Sequence, residues 1–267
     1  MKLKNVSSEF LSQNTFVKLK DNDWLERLRI AGKCVSSTMT KLELLVKENT
    51  SLSLIELSEF AENEIIKQDC KPTFKGYKNF PAAVCISVNR QLVHGIPTNY
   101  KLRDGDLVSF DFGATYRGAI ADSATTCIFG SPKSKEHINI ITATKESLSE
   151  GIKAVVVGNR IGAIGNAIYN CARNKGFRVI DNYGGHGIDE NTPHAMPFVS
   201  NKSEPNKGIR IQPGLTIAIE PMLIPYRTQP KTKTGDDGWT VYTEEIGAHE
   251  EHTIFVHEDR IEIITER

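Results

Sequence analysis

The chain has 267 residues, 39% hydrophobic and 25% charged, and its 33 Lys plus Arg balance 33 Asp plus Glu. This is the make-up of a globular protein of one large or two small domains, and zero net charge argues against a broad nucleic-acid-binding face. The five cysteines stand singly with no Cys-x-x-Cys pair, which excludes a zinc ribbon or dithiol motif, and no apolar run approaches the roughly 20 residues that span a bilayer.

Unpaired cysteines without a signal peptide fit reduced thiols in the cytoplasm. Residues 1–21 read as a polar N-terminal tail, and 22–267 as one domain built of two similar halves. A first helix is expected from Trp24 to about Lys47, capped by Asn22 or Asp23, with an apolar stripe that includes Leu28, Val35, Met39 and Leu42. A second should start near Ser53, where Glu56 three positions on completes a capping box, and end before Cys70. A turn-rich stretch, Lys71 to Pro81, leads to a strand from Val84 to Val88. Leu107–Phe112 and Ala119–Phe129 read as a hairpin around Tyr116-Arg117-Gly118. Two more helices follow, Lys135 to about Ala154 and Ile161 to Asn174. Strand-like runs then come at Leu215–Leu223, Trp239–Thr243, Glu251–Val256 and Ile261–Ile264, with a long loop at Tyr226–Gly238. Helices then strands, twice over, is an α+β pattern, with helices covering one face of a mainly antiparallel sheet.

The repetition is also visible in detail. Gly105-Asp106-Leu107-Val108-Ser109-Phe110-Asp111 and Gly214-Leu215-Thr216-Ile217-Ala218-Ile219-Glu220 each run from a glycine turn through an apolar strand to a carboxylate. His94-Gly95-Ile96 precedes the first and His186-Gly187-Ile188 the second. Asp111 and Asp122 fall opposite or nearly opposite each other in the hairpin, where like charges are destabilising unless a proton or a cation is shared. Isolated acids are mostly solvated, but this strand is strongly apolar, which favours burial. Glu220 ends the second copy before Pro221, and Glu251 precedes another apolar run. His186 lies among glycines that leave its backbone open to close approach. His94 and His194 stand in similar tight loops, while His137, His249, His252 and His257 read as structural or surface groups. One histidine with four carboxylates is a hard, oxygen-rich set suited to Mn, Fe or Co, and two ions about 3.5–4 Å apart could share it and activate a water.

Five stretches stand in order: Val88-Asn89-Arg90-Gln91-Leu92-Val93-His94-Gly95-Ile96-Pro97, the Asp111/Asp122 hairpin, Gly185-His186-Gly187-Ile188, Ile219-Glu220-Pro221-Met222 and Glu251-His252-Thr253. Over roughly residues 23 to 265 the chain resembles the type I methionine aminopeptidases, metallopeptidases of the pita-bread fold, in which an antiparallel sheet with pseudo-twofold symmetry carries helices on its outer face. The resemblance implies that Asp111, Asp122, His186, Glu220 and Glu251 hold two divalent metal ions (Co, Mn, Fe or Zn), with Asp122 and Glu251 bridging and a third, monovalent ion nearby. It implies that His94 and His194 contact the substrate amide and its tetrahedral intermediate. Tyr77, Phe80, Cys85 and Trp239 match positions lining a methionine side-chain pocket, and aromatics with a thiol suit a thioether.

Two departures concern the pocket. His194 follows His186 by eight positions, one more than in many bacterial relatives, with Pro193 where an aromatic often stands and Phe74 where a small cysteine is frequent. The implied activity is hydrolytic removal of the initiator methionine from nascent chains at the ribosome when the second residue is small, by a cytoplasmic monomer with no nucleic-acid specificity and no membrane attachment. The alternatives are a proline-specific (Xaa-Pro) aminopeptidase of the same fold, which usually carries a large extra N-terminal domain, or a non-catalytic pita-bread binding protein, which typically lacks several ligands.

Overall fold

Each half of the molecule is a helix pair laid over antiparallel strands. The computed structural model describes residues 17–267. Helix α1 (Asn22–Lys47) is capped by Asp21, whose carboxylate accepts from the Trp24 N–H at 3.0 Å, one residue ahead of the expected cap. Helix α2 (Leu54–Lys67) starts with the anticipated Ser53/Glu56 box, both arms of which form. Leu28, Val35, Met39 and Leu42 of α1 and Leu57 and Ile65 of α2 bury against Val108, Phe110, Phe112 and Ile120. The second half repeats this with α3 (Lys135–Lys153) and α4 (Gly162–Asn174), which pack Ile140, Leu148, Ile164 and Ile168 against Ile217, Ile219, Ile254 and Val256.

The first half's sheet pairs the Leu107–Tyr116 strand with Lys71–Pro72, Cys85–Val88 and Ala119–Ile128. The hairpin closes at Arg117 and Gly118, with φ of 45° and 85°, the two left-handed residues that a tight twisted turn requires. The second half's main sheet runs Ile261–Ile263, His252–Val256, Thr216–Ile219, Gly184–Asp189, Thr192–Ser200. Gly105 and Gly214 are structurally equivalent. Both have left-handed φ (81° and 87°), and both N–H groups reach the far end of the neighbouring strand, Phe129 O at 2.7 Å and Val256 O at 2.8 Å.

Some expectations need correction. The run 215–223 is not one strand. It breaks at Glu220-Pro221, with Thr216–Ile219 in the five-stranded sheet and Met222–Pro225 in a separate sheet beside Ala248–His249 and Phe177–Val179. The partner chain breaks at the same level, between Ala248–His249 and His252–Val256, because Pro221 cannot donate to a ladder. The two His-Gly-Ile steps are not equivalent: His94 sits in a loop at φ 59°, whereas His186 lies within a strand. His194 too lies on a strand rather than in a tight loop, since Gly184–Asp189 and Thr192–Ser200 form a hairpin. Its glycines and prolines disguise it, and the ladder slips at Gly187. Of the tail assigned to 1–21, residues 1–16 lie outside the described residues. Val17 and Leu19 are buried in the second core, and buried Lys20 pairs with Asp189, so the packed body begins before residue 22.

Close backbone approach explains the glycine at 185. A β-carbon there would lie 2.1 Å from Ala218 O on the adjoining strand. Gly185→Ala should therefore destabilise the fold by about 1–3 kcal/mol, an overpacking cost, measured as a drop in the denaturant midpoint with unchanged slope.

Candidate metal centre

The strand break at Glu220-Pro221 and the one beside Glu250-Glu251 face the middle of the Asp111/Asp122 hairpin. Asp111 pairs with Ala124 and Asp122 with Gly113, so the two aspartates are diagonal neighbours rather than an opposed pair, which eases but does not remove their repulsion. Hydroxyls fasten the hairpin to the 249–253 segment. Thr253 Oγ1 accepts from the Asp122 N–H and donates to Asp122 O, both at 2.8 Å. Ser123 Oγ donates to Glu251 O at 2.7 Å, and Thr126 Oγ1 donates to His249 O at 2.9 Å. Asp122 and Glu251 thus belong to a single cross-linked seam between the halves.

Asp111, Asp122 and Glu251 offer oxygens within 4.8 Å of one another, and so do the ligand atoms of His186, Glu220 and Glu251. His186 Nδ1 faces Gly187 O at 3.2 Å, and Nε2 stands 3.4 Å from Glu220 Oε1 and 4.0 Å from Glu251 Oε1. All five groups are buried; Asp122 is 1% exposed and Glu251 2%. Asp122 Oδ1 and Glu251 Oε1 have no hydrogen-bond partner among the described residues. Burial first, and the neighbouring acids second, push Asp111, Glu220 and Glu251 well above the ordinary carboxylate range, and burial raises Asp122 to about 7. Burial likewise lowers His186 to about 4. Four buried carboxyls, two of them with an orphaned oxygen, facing a neutral imidazole, fit divalent cations: the charge offsets the repulsion and the open lone pairs become ligands.

A cavity of about 260 Å³ opens over this floor, and all eleven residues singled out from the sequence line it. His94 is half-buried near Tyr183 and Trp239, with ring centroids 6.1 Å and 6.2 Å away, and desolvation lowers its pKa to about 4. His194 is exposed at the mouth, 4.5 Å from the His186 ring and 5.3 Å from that of Tyr77. Phe80 meets Trp239 edge-on at 5.2 Å, and Cys85 pairs directly with Asp111 across the ladder. Two of the departures sit beside the His194 ring: buried Pro193 directly precedes it, and Phe74 stacks on it at 6.3 Å. Phe198 and Tyr183 also line the cavity and escaped the sequence reading. The hidden strand pairing that sets Phe198 opposite His186 was the missing signal. His249, read as structural or surface, is buried against Glu220. Its place two positions before Glu251 in an extended run was the available clue.

The raised carboxyls make a pH prediction. Their folded pKa values lie above the free ones, so the metal-free fold favours the protonated forms; the destabilisation is absent below about pH 4 and grows as pH rises through the folded values. His94 and His186 are shifted the other way, and the stability they add is fully gained by about pH 6.5. Between pH 6.5 and 8 the carboxyls dominate. The melting temperature of chelator-stripped protein should fall over that window, and Mn²⁺ should restore it with release of protons. A melting temperature independent of both pH and Mn²⁺ would contradict this account.

Comparison with known proteins shows the family. The model of metallopeptidase family M24 matches residues 26–258. The chain is 38% identical over 251 residues to the methionine aminopeptidase of Mycoplasma capricolum, covering 93% of this chain and 98% of that one. It is 39% identical to methionine aminopeptidase 1 of Bacillus subtilis, covering 89% and 94%. The crystal structure of methionine aminopeptidase from Thermotoga maritima superposes with a TM-score of 0.87 at 32% identity, covering 94% of this chain and all of that one. Prolidase from Pyrococcus furiosus shares the fold (TM-score 0.71, 20% identity), but this chain covers 65% of its length. The chain therefore belongs to metallopeptidase family M24, a family of metal-dependent hydrolases.

Proposed function

We propose that this protein removes the initiator methionine from newly made polypeptides whose second residue is small. The observation that carries the reading is the cavity itself: a floor of four buried acids and His186 beneath a wall of Tyr77, Phe80, Cys85 and Trp239. Asp111, Asp122, His186, Glu220 and Glu251 would hold two divalent cations, Co, Mn, Fe or Zn, with Asp122 and Glu251 shared between them. Bound there, such ions supply Lewis acidity and make a water nucleophilic near neutral pH.

The chain's own groups do the rest. Phe80, Cys85 and Trp239 enclose an unbranched thioether and exclude bulk water from the scissile amide. His94, kept neutral by burial, offers a ring N–H to that amide, and His194 at the mouth offers one to the oxyanion as it forms. Their rings would crowd a large second side chain. No helix among the described residues is long and apolar enough to cross a membrane. Action at the ribosome, a cytoplasmic location and a monomeric state accompany the reading, and its substrates are polypeptide N-termini rather than nucleic acid. An Xaa-Pro specificity is not favoured, since the relatives of high coverage carry the methionine aminopeptidase name.

Turnover of Met-Ala-Ser against Ala-Pro peptides tests the specificity; cleavage of Ala-Pro alone would refute it. Asp122→Asn should keep the fold, by circular dichroism, and lose both activity and one ion, by metal analysis; retained turnover rejects the shared carboxylate. His94→Ala should lower kcat about 10²–10³-fold with metal uptake intact, the scale of a lost transition-state donor. Parallel loss of metal would instead make His94 a ligand.

A further inference from the structure

His249 is a buried imidazole, 1% exposed, that the chemistry above leaves without a task and that lies outside the cavity lining. Its Nε2 stands 3.4 Å from Glu220 Oε2, while His186 Nε2 stands 3.4 Å from Glu220 Oε1. The Glu220 carboxylate therefore has one imidazole at each oxygen. Neither ring nitrogen of His249 has a hydrogen-bond partner among the described residues. A neutral imidazole carries one N–H and one lone pair, and leaving both unused in the interior is costly.

The backbone under the ring is firmly held. His249 pairs with Met222 across the small sheet, its N–H donates to Thr126 Oγ1 at 2.9 Å, and Thr126 Oγ1 in turn lies 2.8 Å from Ser109 Oγ. The ring thus meets Glu220 at the oxygen other than the one nearest His186, from a backbone the seam holds. We propose that His249 is a positioning residue whose Nε2–H grips Oε2 of Glu220, so that Glu220 presents Oε1 alone to the ion it shares with His186. Partners that orient a metal-binding carboxylate in this way typically change metal affinity 10–100-fold. The inference rests on the two-ion reading above.

Calorimetric titration of metal-free protein with Mn²⁺ tests it, using His249→Gln, His249→Asn and His249→Leu. Glutamine can place an N–H near the Nε2 position; asparagine is too short, and leucine fills space without a donor. Wild type and the glutamine variant should bind two ions with affinities within about threefold, while the other two weaken one ion by roughly 10–100-fold. Urea unfolding of the metal-free proteins provides the structural readout. A packing role alone predicts that leucine matches wild type, or that asparagine equals glutamine, and either result overturns the proposal. Should the leucine variant fail to fold, the glutamine–asparagine comparison decides. Failure of the wild type to take up two ions would sink the metal reading itself, a distinguishable result.

Discussion

Mutual repulsion among four buried carboxyl groups is the constraint around which this molecule is arranged. Asp111, Asp122, Glu220 and Glu251 come from both halves and converge where water is nearly excluded. Among the described residues no cation neutralises them: the facing imidazole, His186, is itself pushed toward its uncharged form. Such a cluster is tolerable only protonated or bound to cations, and the chemistry proposed here follows from the second state.

Holding the groups together falls to polar side chains more than to sheet hydrogen bonding. The hairpin strand and the 249–253 segment meet edge to edge without a regular ladder. Ser123, Thr126 and Thr253 serve instead, each hydroxyl reaching a main-chain group across the junction. Packed helices behind each half supply the opposing apolar support. The breaks at Pro221 and next to Glu250 are what let adjacent residues of one strand serve two sheets, and they free Glu220 and Glu251 to turn inward.

The sequence revealed much of this because its chemistry is local. The glycine-to-acid repeat located Gly105 and Gly214 at matching turns, and the apolar strand around Asp111 argued that its charge was buried. The capping box at Ser53 and the Arg117-Gly118 turn depend on a few consecutive residues, so they too were legible. Features made by distant pairing were not. Gly184–Asp189 and Thr192–Ser200 contain five glycines or prolines that suppress any strand signal, and only their mutual ladder reveals them. The split of 215–223 between two sheets depends on which partner each end finds, information that periodicity does not hold. The diagonal offset of Asp111 and Asp122 arose from a one-residue difference in turn position, below what spacing can resolve.

The hydroxyl seam also limits how far the two acids can move apart. Asp122 and Glu251 are tied through their own main chains, so the separation of their backbones is set by attachment and only the side-chain torsions are left to adjust. The junction works as a caliper of set opening. Drawing the two backbones apart would mean breaking every hydroxyl contact that joins them.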